Sequence, residues 1–146
     1  MKKHFIVIVL TLLISVSSFA QEWKTNFTEA KAEASKKNQP ILLVFQGSDW
    51  CAPCIKLDKE IWSTETFKTY SKDHFVMLQA DFPRKPKNAL PAAQQEANNK
   101  LAETYNKNGY FPFVVVLDKT GKVLGQAGYE KTSPQEYIKK LESFTK

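Results

Sequence analysis

Cys51 and Cys54 are the only two cysteines in the chain, and two residues separate them. They lie in the stretch Ser48-Asp49-Trp50-Cys51-Ala52-Pro53-Cys54. The run before it, Ile41-Leu42-Leu43-Val44-Phe45, is unbroken and apolar and reads as a buried strand. The segment after it, 55–62, is compatible with a helix. A Cys-x-x-Cys at a strand-to-helix junction is a pattern for dithiol redox chemistry. A thiol at a helix N-terminus meets free backbone N–H groups and the positive end of the helix dipole, and both favour the thiolate. The thiolate is the attacking species in disulfide exchange, and a second thiol one turn further on can resolve the mixed disulfide. Cys51 is therefore the candidate nucleophile, expected to be exposed, and Cys54 the more buried resolving thiol. The alternatives are an inert disulfide or two core cysteines.

Metal chemistry fits these residues less well. Zinc wants about four ligands. Beyond the first twenty residues, His74 is the one imidazole available. No metal site is assigned. Two thiolates alone could hold Cu(I), with His74 and Met77 on one expected strand as thin support for a copper carrier.

Trp50-Cys51-Ala52-Pro53-Cys54 resembles the thioredoxin active site, Trp-Cys-x-Pro-Cys. The longer run Leu43-Val44-Phe45-Gln46-Gly47-Ser48-Asp49-Trp50-Cys51 is similar to exported thioredoxin-like proteins of bacteria. The resemblance implies a thiol–disulfide oxidoreductase with no bound cofactor. It matches Pro112 to the family's cis-proline, which keeps the backbone before it open to a substrate chain. Phe111 then stands where the family often carries Thr, Val or Ile, and its bulk narrows the groove. Trp50 becomes a flat apolar platform beside the reactive sulfur. Trp50, Phe111 and Pro112 are thus the expected substrate-binding residues.

One departure matters. The family usually buries an acid six residues ahead of the first cysteine, and that place is Phe45 here. Asp58, four residues after Cys54, projects to the same side of a helix and is a candidate proton relay. Ala52-Pro53 resembles the reducing thioredoxins. It favours a potential nearer roughly −270 mV than the roughly −120 mV of a strong oxidant.

Several elements must position these residues. Asn26-Phe27-Thr28-Glu29 has the form of a capping box, and Phe27, Ala30 and Ala34 share one helical face. Pro40 stops that helix before the strand. A helix over 51–62 follows the motif, with Ile55, Leu57, Ile61 and Trp62 as its buried stripe. Phe67 and Tyr70 suggest a short helical continuation. Residues 74–81 read as a central strand. Three prolines (Pro83, Pro86, Pro91) and the cluster Arg84, Lys85, Lys87 make 82–91 an exposed loop. Residues 92–107 read as a helix with Ala93, Ala97, Leu101 and Tyr105 inward. The strand 113–117, the turn Asp118-Lys119-Thr120-Gly121 and the strand 122–127 form a hairpin. Ser133-Pro134-Gln135-Glu136 opens a last helix, whose apolar face is Tyr137, Ile138, Leu141 and Phe144. This order matches an α/β thioredoxin fold: a central mixed β-sheet flanked by helices, with an extra N-terminal helix.

Residues 1–20 have the pattern of a secretory signal peptide: a basic start at Lys2 and Lys3, an apolar run, then Ser18 and Ala20 placed for cleavage. The domain is then 21–146, exported to the periplasm or an equivalent compartment, with no stable membrane insertion. In an oxidising compartment a close cysteine pair closes unless something reduces it. A reductase there needs a membrane-linked electron donor, and its partners are disulfide-bearing protein substrates. The formal charge of +6 falls to +4 without Lys2 and Lys3. The charge is dispersed and no basic-aromatic module is evident, so nucleic acid is not an expected partner. Two readings compete: a chaperone or adaptor with idle thiols, and the Cu(I) carrier.

Overall fold

The computed structural model describes residues 21–146. The expected export segment, 1–20, lies outside the described residues. Five strands form one mixed sheet in the order β1-β3-β2-β4-β5. They are β1 (Trp23–Lys24), β2 (Ile41–Gln46), β3 (Val76–Asp81), β4 (Phe113–Leu117) and β5 (Val123–Ala127). The β1, β3 and β2 strands run parallel; β4 is antiparallel to β2, and β5 to β4. Helices α1 (Phe27–Lys37), α2 (Ala52–Leu57), α3 (Glu65–His74), α4 (Ala92–Tyr105) and α5 (Pro134–Ser143) flank the sheet. The fold is the expected thioredoxin fold. The edge strand β1 is an addition that two residues of sequence did not signal.

β2 lies at the middle of the sheet, and Ile41 through Phe45 are all buried. Burial on both faces explains why its sequence does not alternate. Leu42 and Val44 join the core under α2, α3 and α5, with Leu57, Ile61, Trp62, Phe67 and Tyr137. Ile41, Leu43 and Phe45 join the opposite core, with Ala30 and Ala34 of α1 and Leu101 of α4.

Caps formed where polar residues offered them. Asn26, Thr64 and Ser133 accept from the backbone N–H of Glu29, Phe67 and Glu136. Asn38 ends α1 with φ 51°, a left-handed conformation that asparagine tolerates.

Four expectations need correction. The helix over 51–62 is interrupted. After α2, residues Asp58–Trp62 form a π-helical turn, closed by the Ser63 N–H donating to the Asp58 carbonyl at 2.8 Å. Leu57, Ile61 and Trp62 are all fully buried. In an unbroken α-helix Trp62 would lie about 140° around the axis from Leu57. The wider turn brings both inside. Ile55 is not in the buried stripe; it is 50% exposed. It lies about 200° from Leu57, on the opposite face.

His74 is the last residue of α3, not the start of a strand, and its ring stacks on Tyr70 at 3.9 Å. Met77 is buried in β3. The two therefore share no strand, and the copper reading loses its support. Helix α4 ends at Tyr105 and turns Asn98 and Leu101 inward, while Ala93 and Ala97 are exposed. Asn98 is buried because its Nδ2 donates to the Asp81 carbonyl at 2.9 Å and its Oδ1 accepts from Gln94.

Candidate active site

Cys51 and Cys54 are joined by a disulfide at the C-terminal end of β2. Cys51 is the N-cap of α2: its backbone is extended, and its Sγ accepts from the Cys54 N–H at 3.3 Å. The turn before it is closed by the Gly47 carbonyl, which accepts from the Cys51 N–H at 2.9 Å. Pro53 stands in the first turn of α2, where the absent N–H costs nothing. The expected contrast in exposure is not present in this oxidised form. Cys51 is 3% exposed and Cys54 4%. The bond holds both sulfurs together and leaves only a small area of the pair to solvent.

The Phe111–Pro112 peptide is cis, as the resemblance implied, and Pro112 is buried directly before β4. Trp50 and Phe111 meet edge to face, with centroids 5.5 Å apart. Phe82 packs against Phe111 at the same separation. The indole Nε1 of Trp50 donates to the Phe82 carbonyl at 2.7 Å. The expected platform is thus one member of a three-ring wall, held by a polar tether.

The exposed loop 82–91 is built onto this wall. It contains one short helical turn, Pro86–Asn88. The Asp49 carboxylate accepts from the backbone N–H of Arg84 (2.9 Å), that of Lys85 (3.0 Å) and Asn88 Nδ2 (2.9 Å). The Arg84 amide, then Asn88, and the nearby Lys85 hold the Asp49 carboxyl below its usual range. The Arg84 guanidinium carbon lies 3.5 Å from the Trp50 ring centroid, a stacked cation–π arrangement. Ser48 is tied similarly, donating through N–H and Oγ to Asp81 at 2.9 and 2.6 Å. Reading the sequence for chemistry did not single out Asp49 or Asp81. The one available signal was an acid in the turn next to a cysteine motif; the donors it meets lie more than thirty residues away.

Beside Cys54 is a cavity of about 270 Å³, lined by Cys54, Ile55, Asp58, Gln46, Gln79, Ser48 and Trp23. Gln46 donates to Gln79 across it at 3.2 Å. Phe45, the place assigned to the missing acid, belongs to the core on the opposite sheet face. Alternation along β2 makes Gln46 the strand residue that faces the thiols. Asp58 shares the cavity with Cys54, is exposed, and accepts from Ser63 Oγ at 3.0 Å.

A thioredoxin-like family model matches residues 22–119. The chain is 35% identical over 125 residues to the disulfide bond reductase DsbH of Chlamydia pneumoniae, covering 86% of this chain and 73% of that one. The chain belongs to the thioredoxin-like family. A solved DsbH oxidoreductase structure superposes with a TM-score of 0.79 at 32% identity, over 92% of this chain and 91% of that one. The disulphide isomerase from Xylella fastidiosa Temecula1 has a TM-score of 0.60 at 24% identity, over 82% and 88% of the two chains, a likeness of fold. With a closed Cys-x-x-Cys at its helix cap, this thioredoxin-like chain is a thiol–disulfide oxidoreductase. Among the described residues, no helix is long and apolar enough to cross a membrane.

Proposed function

We propose that the protein is an exported reductase of protein disulfides. The observation that carries this reading is the closed cysteine pair at the cap of α2. In the reduced protein the Cys51 thiolate, stabilised by the Cys54 N–H and the helix terminus, attacks a substrate disulfide. One substrate sulfur leaves as a thiolate, and the other is bonded to Cys51. Cys54, as thiolate, attacks Cys51 Sγ and expels the second substrate thiolate. Two electrons pass to the substrate, and the Cys51–Cys54 disulfide is regenerated. A dithiol donor linked to the membrane then reduces it.

Asp58 takes the Cys54 proton, directly or through water in the shared cavity, whose size admits several waters. Trp50, Phe111 and Pro112 receive the substrate chain. Ile55 and Tyr110, 50% and 57% exposed, adjoin Cys54 and Phe111 in sequence and add apolar surface suited to a polypeptide. Export is supported by the pattern of 1–20, and reduction by Ala52-Pro53 and by the name of the Chlamydia relative.

The test is the equilibrium of the purified protein with a defined thiol buffer, paired with turnover of a protein disulfide. A potential near roughly −270 mV is the expected result, and one near roughly −120 mV makes the protein a disulfide donor instead. Cys54→Ser is expected to trap a covalent complex through Cys51.

A further inference from the structure

The oxidoreductase reading leaves the charge of the loop 82–91 without a role. Arg84, Lys85 and Lys87 are exposed, and none takes part in the ion pairs among the described residues. The two carboxylates of this corner accept hydrogen bonds from other groups, and of the three cations Lys85 acts on Asp49 through its charge. Asp49 is occupied by three donors of the loop, and Asp81 by both donors of Ser48 and by the Phe82 N–H. The loop is tied to the residue before Cys51 by the Trp50–Phe82 hydrogen bond and by the Arg84 stack. Arg84 is therefore carried at a set place, over the Trp50 ring next to Cys51 in the chain, and Lys85 and Lys87 follow it on the same anchored loop. A guanidinium held over an indole face by its central carbon keeps N–H donors for carboxylate oxygens.

We propose that Arg84, with Lys85 and Lys87, is a specificity determinant: it selects substrate segments that carry acidic residues next to the cysteine to be reduced. This rests on the reductase reading above. An acidic flank would lie along the Trp50–Arg84 side of the groove while the substrate sulfur meets Cys51. The attraction acts on encounter and binding, not on the electron transfer, so it appears in kcat/KM at low substrate and not in kcat.

The experiment uses three peptide disulfides of equal length, with acidic, neutral or basic residues flanking the same cysteine. The purified protein, kept reduced by an excess of an uncharged dithiol that supplies two electrons per turnover, reduces them at low and at 1 M salt. At low salt, kcat/KM falls in the order acidic, neutral, basic, with about a tenfold span for a few exposed charge pairs. At 1 M salt the span closes, since screening then acts within about 3 Å. Arg84→Glu narrows or inverts the order, and Arg84→Lys retains it. Lys85→Gln with Lys87→Gln, remote from the Trp50 stack, narrows it as well. Equal rates for the three peptides overturn the proposal while leaving the reductase reading intact. So does an Arg84→Glu variant that slows all three by one factor, which would show that Arg84 only props Trp50. Absence of turnover with every peptide refutes the reductase reading, and this inference with it.

Discussion

Gly47 offers a sharp test of how the aromatic wall is held. It ends the β2 edge of the site, and its carbonyl accepts from the N–H of Trp50 and of Cys51 at 3.3 and 2.9 Å. A Cβ built on Gly47 would stand 2.2 Å from Trp50 Cε2, 2.4 Å from Nε1 and 2.6 Å from Cζ2. Such contacts are not sustainable, so Gly47→Ala must move the indole. Moving it breaks the Nε1 bond to the Phe82 carbonyl, worth about 1 kcal/mol net. It also parts Trp50 from Arg84, about 0.5–1 kcal/mol at an exposed site, and from Phe111, about 0.5–1.5 kcal/mol. The expected loss is about 2–3.5 kcal/mol, measured by urea unfolding with an unchanged slope. For a domain of this size the corresponding fall in Tm is about 10 °C. Reduction of a protein disulfide should slow as well, because the wall beside Cys51 is displaced. The control is the double-mutant cycle with Trp50→Ala, which removes the clashing ring. Gly47→Ala should cost less than about 0.5 kcal/mol in that background. A Gly47→Ala protein with native stability and native turnover refutes the argument, as does the same loss in both backgrounds.

Other consequences are open to measurement. Asp58→Asn should slow resolution of the Cys51 mixed disulfide about tenfold or more near neutral pH. An unchanged rate would exclude Asp58 as the relay. The Asp49 carboxyl is held below its ordinary value of 3.8, so its grip on the loop is complete above that pH and is lost as pH falls through the lower folded value. Acid titration of tryptophan fluorescence should therefore show a step that Asp49→Asn lacks; coincident titrations would sink the assignment. Asn98→Ala leaves the part-buried Asp81 carbonyl without its side-chain donor and should cost about 1 kcal/mol by denaturant midpoint. Less than about 0.5 kcal/mol would mean that water replaces the amide.

Much of the frame was legible because local pattern and fold agreed. The run 41–45, the turn at Asp118, and the caps at Asn26 and Ser133 each carry their signal within a few residues. Elsewhere the signal was there but its phase was not. Ile55 looked like core by composition, and the π-helical turn that places Trp62 inside instead shows itself only when Leu57, Ile61 and the sheet compete for one face. Ala93 and Ala97 looked inward by apolarity. The inward face was claimed by Asn98 with Leu101, because the end of β3 offers a carbonyl for Asn98 to satisfy.

By itself the sequence determined the cysteine pair, its place at a strand-to-helix junction, and the order of the elements around it apart from the edge strand β1 and the π-helical turn, since these depend on neighbours along the chain. Tertiary structure alone decided what surrounds the pair. It brought Asp49 to the amides of Arg84 and Lys85, Arg84 to Trp50, Phe82 and Phe111 into one wall, and Gln46 rather than Phe45 to the cavity beside Cys54. The physical reason is range. Backbone propensity and hydrophobic period act over one or two turns, whereas most of these contacts join residues far apart in the chain and exist only once β2, β3 and β4 are paired.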